Sequence, residues 1–235
     1  MWLTAPNMTC VHGFSTRHGG VSSAPFDSLN MGGHEDDPQA ISENRNRALA
    51  LLGLTEDCVC RLKQVHGVTV HNAQPGVFEG DGLVTNEPLI ALAIGTADCY
   101  PLLFHDATHR VIGAAHAGWR GTVGKIANEV LTKMMALGAQ PHTTHIAIGP
   151  GISTEKFEVG DEVVAEFSVA GFPADYLKNR HIDLAAANKW VLMQAGVPAE
   201  NIYVNGRCST ESDFFSYRRD NGITGRMWSV ISMNR

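Results

Sequence analysis

Apolar positions along this chain follow two rhythms. In the first half, from residue 59 onward, they come in short unbroken runs: "VCRLKQV", "VTVHNA", "LIALAIGTA", "YPLLFH" and "RVIGAAH". Runs of this length between turn residues predict strands. Elsewhere the spacing is helical. Ala40, Ile41, Ala48, Leu49 and Leu52 form a stripe behind Asp37-Pro38, an N-cap followed by proline at the first helical position. Gly53 can end that helix. Val123, Ile126, Ala127, Val130, Leu131, Met134 and Leu137 predict a second helix, beginning near Thr122 and stopping at Gly138. "DEVVAEFS" predicts a short third. "DLAAANKWVLMQAG" predicts a fourth, with Asp183 as N-cap, Gly196 as stop and Pro198 just beyond. "HIAIG", "NIYVN" and "RMWSVISM" add strands. "GFSTRHGGVSSAPFDSLNMGGHEDDP" has no period and reads as irregular structure with short strands, more a binding loop than a linker. Helices and strands mix without strict alternation, and no repeat or boundary divides the chain. The pattern predicts one α/β (α+β) domain over residues 1–235, built on a mixed sheet.

Composition narrows what such a domain does. A formal charge of −6 over 235 residues argues against nucleic acid as partner. No apolar run is long enough for a membrane span. "MWLTAPNMTC" lacks a basic start followed by an apolar core, and the five cysteines are irregularly spaced. A reduced, cytoplasmic protein without a structural disulfide is expected. Eleven histidines are more than usual for a chain this size; most are expected at the surface or in packing, and the surplus directs attention to metal chemistry.

"IGTADCYPLLF" and "AAHAGWRG" place a thiol and an imidazole where apolar runs end. The link "HDATHR" between the two runs is too short for a parallel crossover, so an antiparallel hairpin is expected. A two-residue loop at Ala107-Thr108 would pair Asp106 with His109, and Cys99 with His116, with Cβ atoms about 5 Å apart. "KQVHG" offers His66 at another strand end. Two histidines and a cysteine form a zinc ligand set with a fourth position open. Asp98 is the adjacent acid, an orienter or general base, although a strand neighbour of Cys99 should point to the opposite face. On pattern alone the plainer reading, packed histidines and a small buried thiol, is preferred. "AGWRGTVGK" reads as a strand-to-helix turn at which Arg120 could serve an anion. It is not a phosphate loop, since Trp119 stands where the first glycine is required. "GHEDD" lacks the partner histidine of a zincin helix. His105, His109, His142 and His145 are expected in or near solvated turns.

"GFSTRHGGVS", "SLNMGGHEDDP", "ENRNR", "QVHG", "DGLVT", "TADCYPLLF", "AAHAGWRG", "AIGPGI" and "FFSYRRD", in this order, resemble the polyphenol-oxidase/laccase-domain family. The resemblance covers nearly the whole chain. It implies a four-layer α/β/β/α sandwich and a metal, zinc or copper, on His66, Cys99 and His116. It also implies action on purine nucleosides: phosphorolysis of adenosine, inosine and methylthioadenosine, and deamination of adenosine. Phosphate as co-substrate makes Arg17, Arg45, Arg120 and Arg218 candidate partners. The competing readings are a Cys-His hydrolase with Cys99 as nucleophile, for instance one editing a peptidoglycan precursor, and a copper phenol oxidase. The second lacks the H-x-H pairs that a multicopper centre needs.

Overall fold

The computed structural model describes residues 2–33 and 35–233. His34 of "GHEDD" lies outside them. The chain opens with β1 (Trp2–Leu3), β2 (Val11–Ser15) and α1 (Pro38–Ala50), followed by β3 (Val59–Lys63), β4 (Val70–Asn72), β5 (Gly76–Glu79) and β6 (Gly82–Thr85). Next come β7 (Ala91–Thr96), β8 (Tyr100–Asp106), β9 (Val111–Ala117), α2 (Trp119–Val123), α3 (Ile126–Ala136), β10 (Thr144–Ile148) and α4 (Asp161–Val169). A ribbon of β11 (Leu177–Lys178) and β12 (His181–Ile182) precedes α5 (Leu184–Gln194), β13 (Ile202–Val204) and β14 (Met227–Ser232).

Two six-stranded mixed sheets carry the fold, in the orders β1-β2-β14-β7-β3-β5 and β13-β10-β8-β9-β6-β4. Their facing sides share one interior, in which Phe14, Leu92, Ile94 and Ile231 of the first sheet meet Leu103, Ile112 and Ala147 of the second. α1 covers the outer face of the first sheet through Ala48 and Leu49 against Val59, Ala93 and Val230. α3 and α5 cover the outer face of the second, setting Val130, Met134 and Leu192 against Phe104, Ile146 and Ile148. The layers therefore run helix, sheet, sheet, helix, as the family likeness implies. Every residue of β8 and β9 is buried, because each strand has a sheet on one side and helices on the other. That explains their unbroken apolar runs. Among the described residues no helix is long and apolar enough to cross a membrane.

Caps fall where the sequence places them. Asp37 accepts from Gln39 N and Asp183 from Ala186 N. Three details differ. The β8–β9 hairpin pairs Asp106 with Val111 and Pro101 with His116, leaving a four-residue loop. Asp106 folds into that loop by accepting from His109 N, which shifts the pairing two residues from the expected register. The second helix is broken into α2 and α3 at Lys125, whose φ is +61°. β3 ends at Lys63, where Gln64 takes over the ladder by bonding both the N–H and C=O of Gly95 through its side-chain amide. β5 and β6 carry no signal read from the apolar pattern; β5 is a mostly exposed edge.

Candidate metal centre and its cleft

Three strand ends converge where the two sheets meet. His66 follows β3, Cys99 lies in the turn from β7 to β8, and His116 sits one residue from the end of β9. Their donor atoms all lie within 4.8 Å of one another. The imidazoles of His66 and His116 meet edge to face, with centroids 4.8 Å apart. His116 is buried, Cys99 half-buried and His66 exposed, so the group has a closed back and an open front. Gly118 faces Cys99 across the hairpin. A Cβ there would stand 3.0 Å from the Cys99 sulfur and 3.1 Å from His66 Cδ2, so only glycine leaves the group its room.

One carboxylate organises this arrangement. Asp81, fully buried on the turn before β6, accepts from His66 N at 3.0 Å, Gly67 N at 2.7 Å and Val65 N at 3.3 Å. It thereby holds His66 in a left-handed backbone conformation, φ +61°, uncommon for a residue with a side chain. The same carboxylate accepts the Nδ1 proton of His116 at 2.8 Å. A carboxylate has no proton to give, so the Nδ1–H is fixed and Nε2 of His116 is left as the donor towards the group.

The charges agree with this geometry. Burial pushes the Cys99 thiol up, but His116 and then His66 beside it outweigh burial and hold it at about 6. Burial pushes His116 down, yet the Cys99 thiolate and the Asp81 carboxylate raise it to about 9. Burial works against the Asp81 charge too, but the bonds from His116 and Gly67 keep it below the ordinary carboxylate range. A thiolate and two imidazoles, one of them oriented by a buried carboxylate, fit a borderline-soft divalent cation such as zinc.

The group opens into a cleft of about 1000 Å³ on the α1 side of the first sheet. Arg45, Arg120 and Arg218 all line it, whereas Arg17 does not. Arg17 is held elsewhere, paired with Asp27 at 3.1 Å and stacked on Phe215. Arg45 lies over the Trp228 ring, 4.8 Å from its centroid, and pairs with Glu56. Arg120 lies over Trp119 at 4.2 Å. The Arg218 guanidinium donates to the carbonyls of Lys156 and Glu158. Asp98 lines the cleft but orients no imidazole among the described residues. Its carboxylate accepts from Ser209 Oγ at 2.6 Å, Ser216 Oγ at 2.7 Å and Arg218 N at 2.7 Å, anchoring the loop that carries Tyr217 and Arg218. The orienting role considered for Asp98 is filled by Asp81. Its motif, "DGLVT", contributes to the family likeness, yet nothing in its apolar pattern marks a carboxylate aimed at His116. Arg61 and Arg226 also line the cleft and also escape the sequence reading. His105 is buried rather than solvated, with its imidazole pushed down by burial. All five cysteines are free, as expected.

The chain resembles known proteins over nearly its full length. It is 53% identical to a protein of Deinococcus radiodurans named purine nucleoside phosphorylase, over 99% of this chain and 93% of that one. It is 35% identical to a protein named adenosine deaminase RL5 from an unknown prokaryotic organism, over 97% of this chain and 95% of the relative. The crystal structure of YlmD from Geobacillus stearothermophilus superposes with a TM-score of 0.92 at 36% identity, covering 98% of this chain and 94% of that one. Residues 11–234 match the family described as multi-copper polyphenol oxidoreductase laccase, and the chain belongs to that family.

Proposed function

We propose that this protein is a zinc-dependent purine nucleoside enzyme. It cleaves adenosine, inosine and methylthioadenosine with phosphate and also deaminates adenosine. The observation that carries the reading is the convergence of His66, Cys99 and His116 at the head of a cationic cleft, in a chain 53% identical to a protein named purine nucleoside phosphorylase. The relative named adenosine deaminase supports the second activity.

The residues that would hold zinc are His66, Cys99 and His116, and the metal would supply Lewis acidity at the cleft head. The chain's own groups do the rest. Asp81 fixes the protonated nitrogen of His116 and the backbone at His66, so both rings are set before substrate arrives. Tyr217, Trp119 and Phe157 line the cleft and offer faces for a purine ring. In phosphorolysis a hydrogen phosphate oxygen bonds the ribose anomeric carbon, the glycosidic C–N bond breaks with its electron pair leaving on the purine, and the phosphate proton ends on that nitrogen. In deamination water replaces the amine, which leaves as ammonia. The free thiols accord with a reducing, cytoplasmic setting.

The test is to incubate the zinc-loaded protein with inosine or adenosine and phosphate. The expected products are free base and a sugar 1-phosphate, and ammonia from adenosine. If neither sugar phosphate nor ammonia forms, the reading is rejected. A thiol-nucleophile reading is favoured by one feature, the Cys99 thiol held at about 6 beside His116. Metal-free activity abolished by alkylation would support it instead. For a copper phenol oxidase the single three-residue donor group among the described residues is too few ligands for a multicopper centre.

A further inference from the structure

Among the described residues, six side chains lining the cleft are cationic, namely Arg45, Arg61, Lys63, Arg120, Arg218 and Arg226. One, Asp98, is a carboxylate, and three donors already occupy it. This imbalance sits in a chain whose formal charge is −6, so it is local and built. Lys63 is spoken for by Glu79 at the rim, at 2.9 Å. Among the described residues no carboxylate pairs with Arg61 or Arg226.

Arg45 of α1, Arg61 of β3 and Arg226 ahead of β14 line the same cleft. Arg226 stands just before β14, and Trp228, two positions on, lies on the same face beneath Arg45. The Met31 peptide joins the two arginines. Its N–H donates to Arg226 O at 3.0 Å, and its C=O accepts from Arg45 Nε at 2.8 Å. Arg61 projects from β3 close enough for its charge to oppose that of Arg45. Burial, more than this repulsion, disfavours the charge on Arg45, and burial likewise disfavours that on Arg226. Arg226 spends only Nη1, on the carbonyls of Thr224 and Gly225. The charges of Cys99, then Asp98, Tyr217 and Glu35, favour its charged form only through space. Arg45 has Glu56 beside it, whereas Arg61 and Arg226 meet no carboxylate among the described residues. Cations set in a cleft without a counter-charge are costly unless an anion completes them, and guanidinium forks match a tetrahedral oxyanion.

We propose that Arg226, with Arg45 and Arg61, forms the phosphate subsite of the cleft, leaving Arg120 and Arg218, which line the same cleft, for the nucleoside. The assignment rests on the phosphorolytic reading for its catalytic meaning, though not for the binding of the ion. From this subsite the phosphate oxygen is delivered to the anomeric carbon, while the purine leaves with the proton that the phosphate brought.

The experiment uses the zinc-loaded full chain and inorganic phosphate as probe, in wild type, Arg226→Gln and Arg61→Gln. Phosphate binding is followed by phosphorus NMR titration, and the KM for phosphate and for inosine are measured alongside. Both substitutions are expected to weaken phosphate binding and raise its KM at least tenfold, with a smaller change in the inosine KM. Arg61, on the more accessible strand, keeps the test alive if Arg226→Gln fails to fold. If wild type binds phosphate, the variants lose that binding and no sugar phosphate ever forms, the subsite stands and phosphorolysis falls. If the folded variants bind phosphate within twofold of wild type, the assignment is overturned, whatever the activity.

Discussion

Replacing Asp81 by asparagine keeps the volume but changes what the buried group can accept. In the native chain Oδ1 accepts hydrogen bonds from His66 N and His116 Nδ1, and Oδ2 accepts them from Val65 N and Gly67 N. An amide turns one of those oxygens into a donor that faces two donors. If the NH₂ group replaces Oδ2, the turn at His66 loses its anchor and the strained φ of +61° is free to relax. If it replaces Oδ1, His116 loses the acceptor that fixes its tautomer. Hydrogen bonds to a charged group contribute about 1.5–3 kcal/mol each, so losing two costs the fold roughly 3–6 kcal/mol before relaxation. For a domain of this size that lowers Tm by about 6 °C or more. Loss of an outer partner of a metal ligand weakens metal binding roughly 10- to 100-fold. The assays are competition for zinc against a chromophoric chelator and thermal unfolding with chelator present. A zinc affinity within threefold of wild type, together with an unchanged Tm, would refute Asp81 as the organising residue.

Further outcomes follow from single contacts. Gly118→Ala places a methyl group 3.0 Å from the Cys99 sulfur, and overpacking of this kind costs about 1–3 kcal/mol, so zinc affinity should drop about tenfold or more; unchanged metal content after dialysis would count against the geometry. In chelated protein, iodoacetamide should label Cys99 at neutral pH, with the rate falling as pH drops through about 6, and zinc should protect it. Cys10, buried and pushed up to about 12, should stay unlabelled in both states; peptide mapping decides, and labelling of Cys99 indifferent to zinc would sink the ligand assignment. Burial pushes Asp106 up, but bonds from Gln140 N, His109 N and Thr143 outweigh it and leave its acid below the ordinary range. Its folded pKa being depressed, its contribution to stability is present above the unfolded value near 3.9 and is lost as pH falls through the folded one. Asp106→Ala should therefore lower Tm at neutral pH and flatten the acid limb of the Tm–pH curve; an equally steep limb in the variant would refute this.

The nearness of Cys99 and His116 is legible in the sequence because it survives a two-residue change of register. Pairing Cys99 with His116 assumed a two-residue loop, and the hairpin instead has four. A shift of two keeps every side chain on its face, so the thiol and imidazole remain neighbours, now diagonal, with Pro101 opposite His116. A shift of one would have separated them. Strands buried on both sides announce themselves as apolar runs, and capped helices through Asp37 and Asp183. Exposed β5 and the chain entering β6 have no such mark, so Asp81 went unseen in its role. Arg226 was hidden at the edge of a run read only for its hydrophobicity. Arg17 lies away from the cleft because its partners, Asp27 and Phe215, are set by an aperiodic loop and by a segment nearly two hundred residues away, which local pattern does not report. Local pattern reports what a residue does for its own element; a cleft collects residues from several.

The most direct test is elemental analysis of the protein purified from a zinc-supplemented preparation, wild type beside Cys99→Ser. One zinc per chain in the wild type, and near none in the folded variant, is the result predicted. Equal metal in both proteins, or none in the wild type, would contradict a cation held between His66, Cys99 and His116.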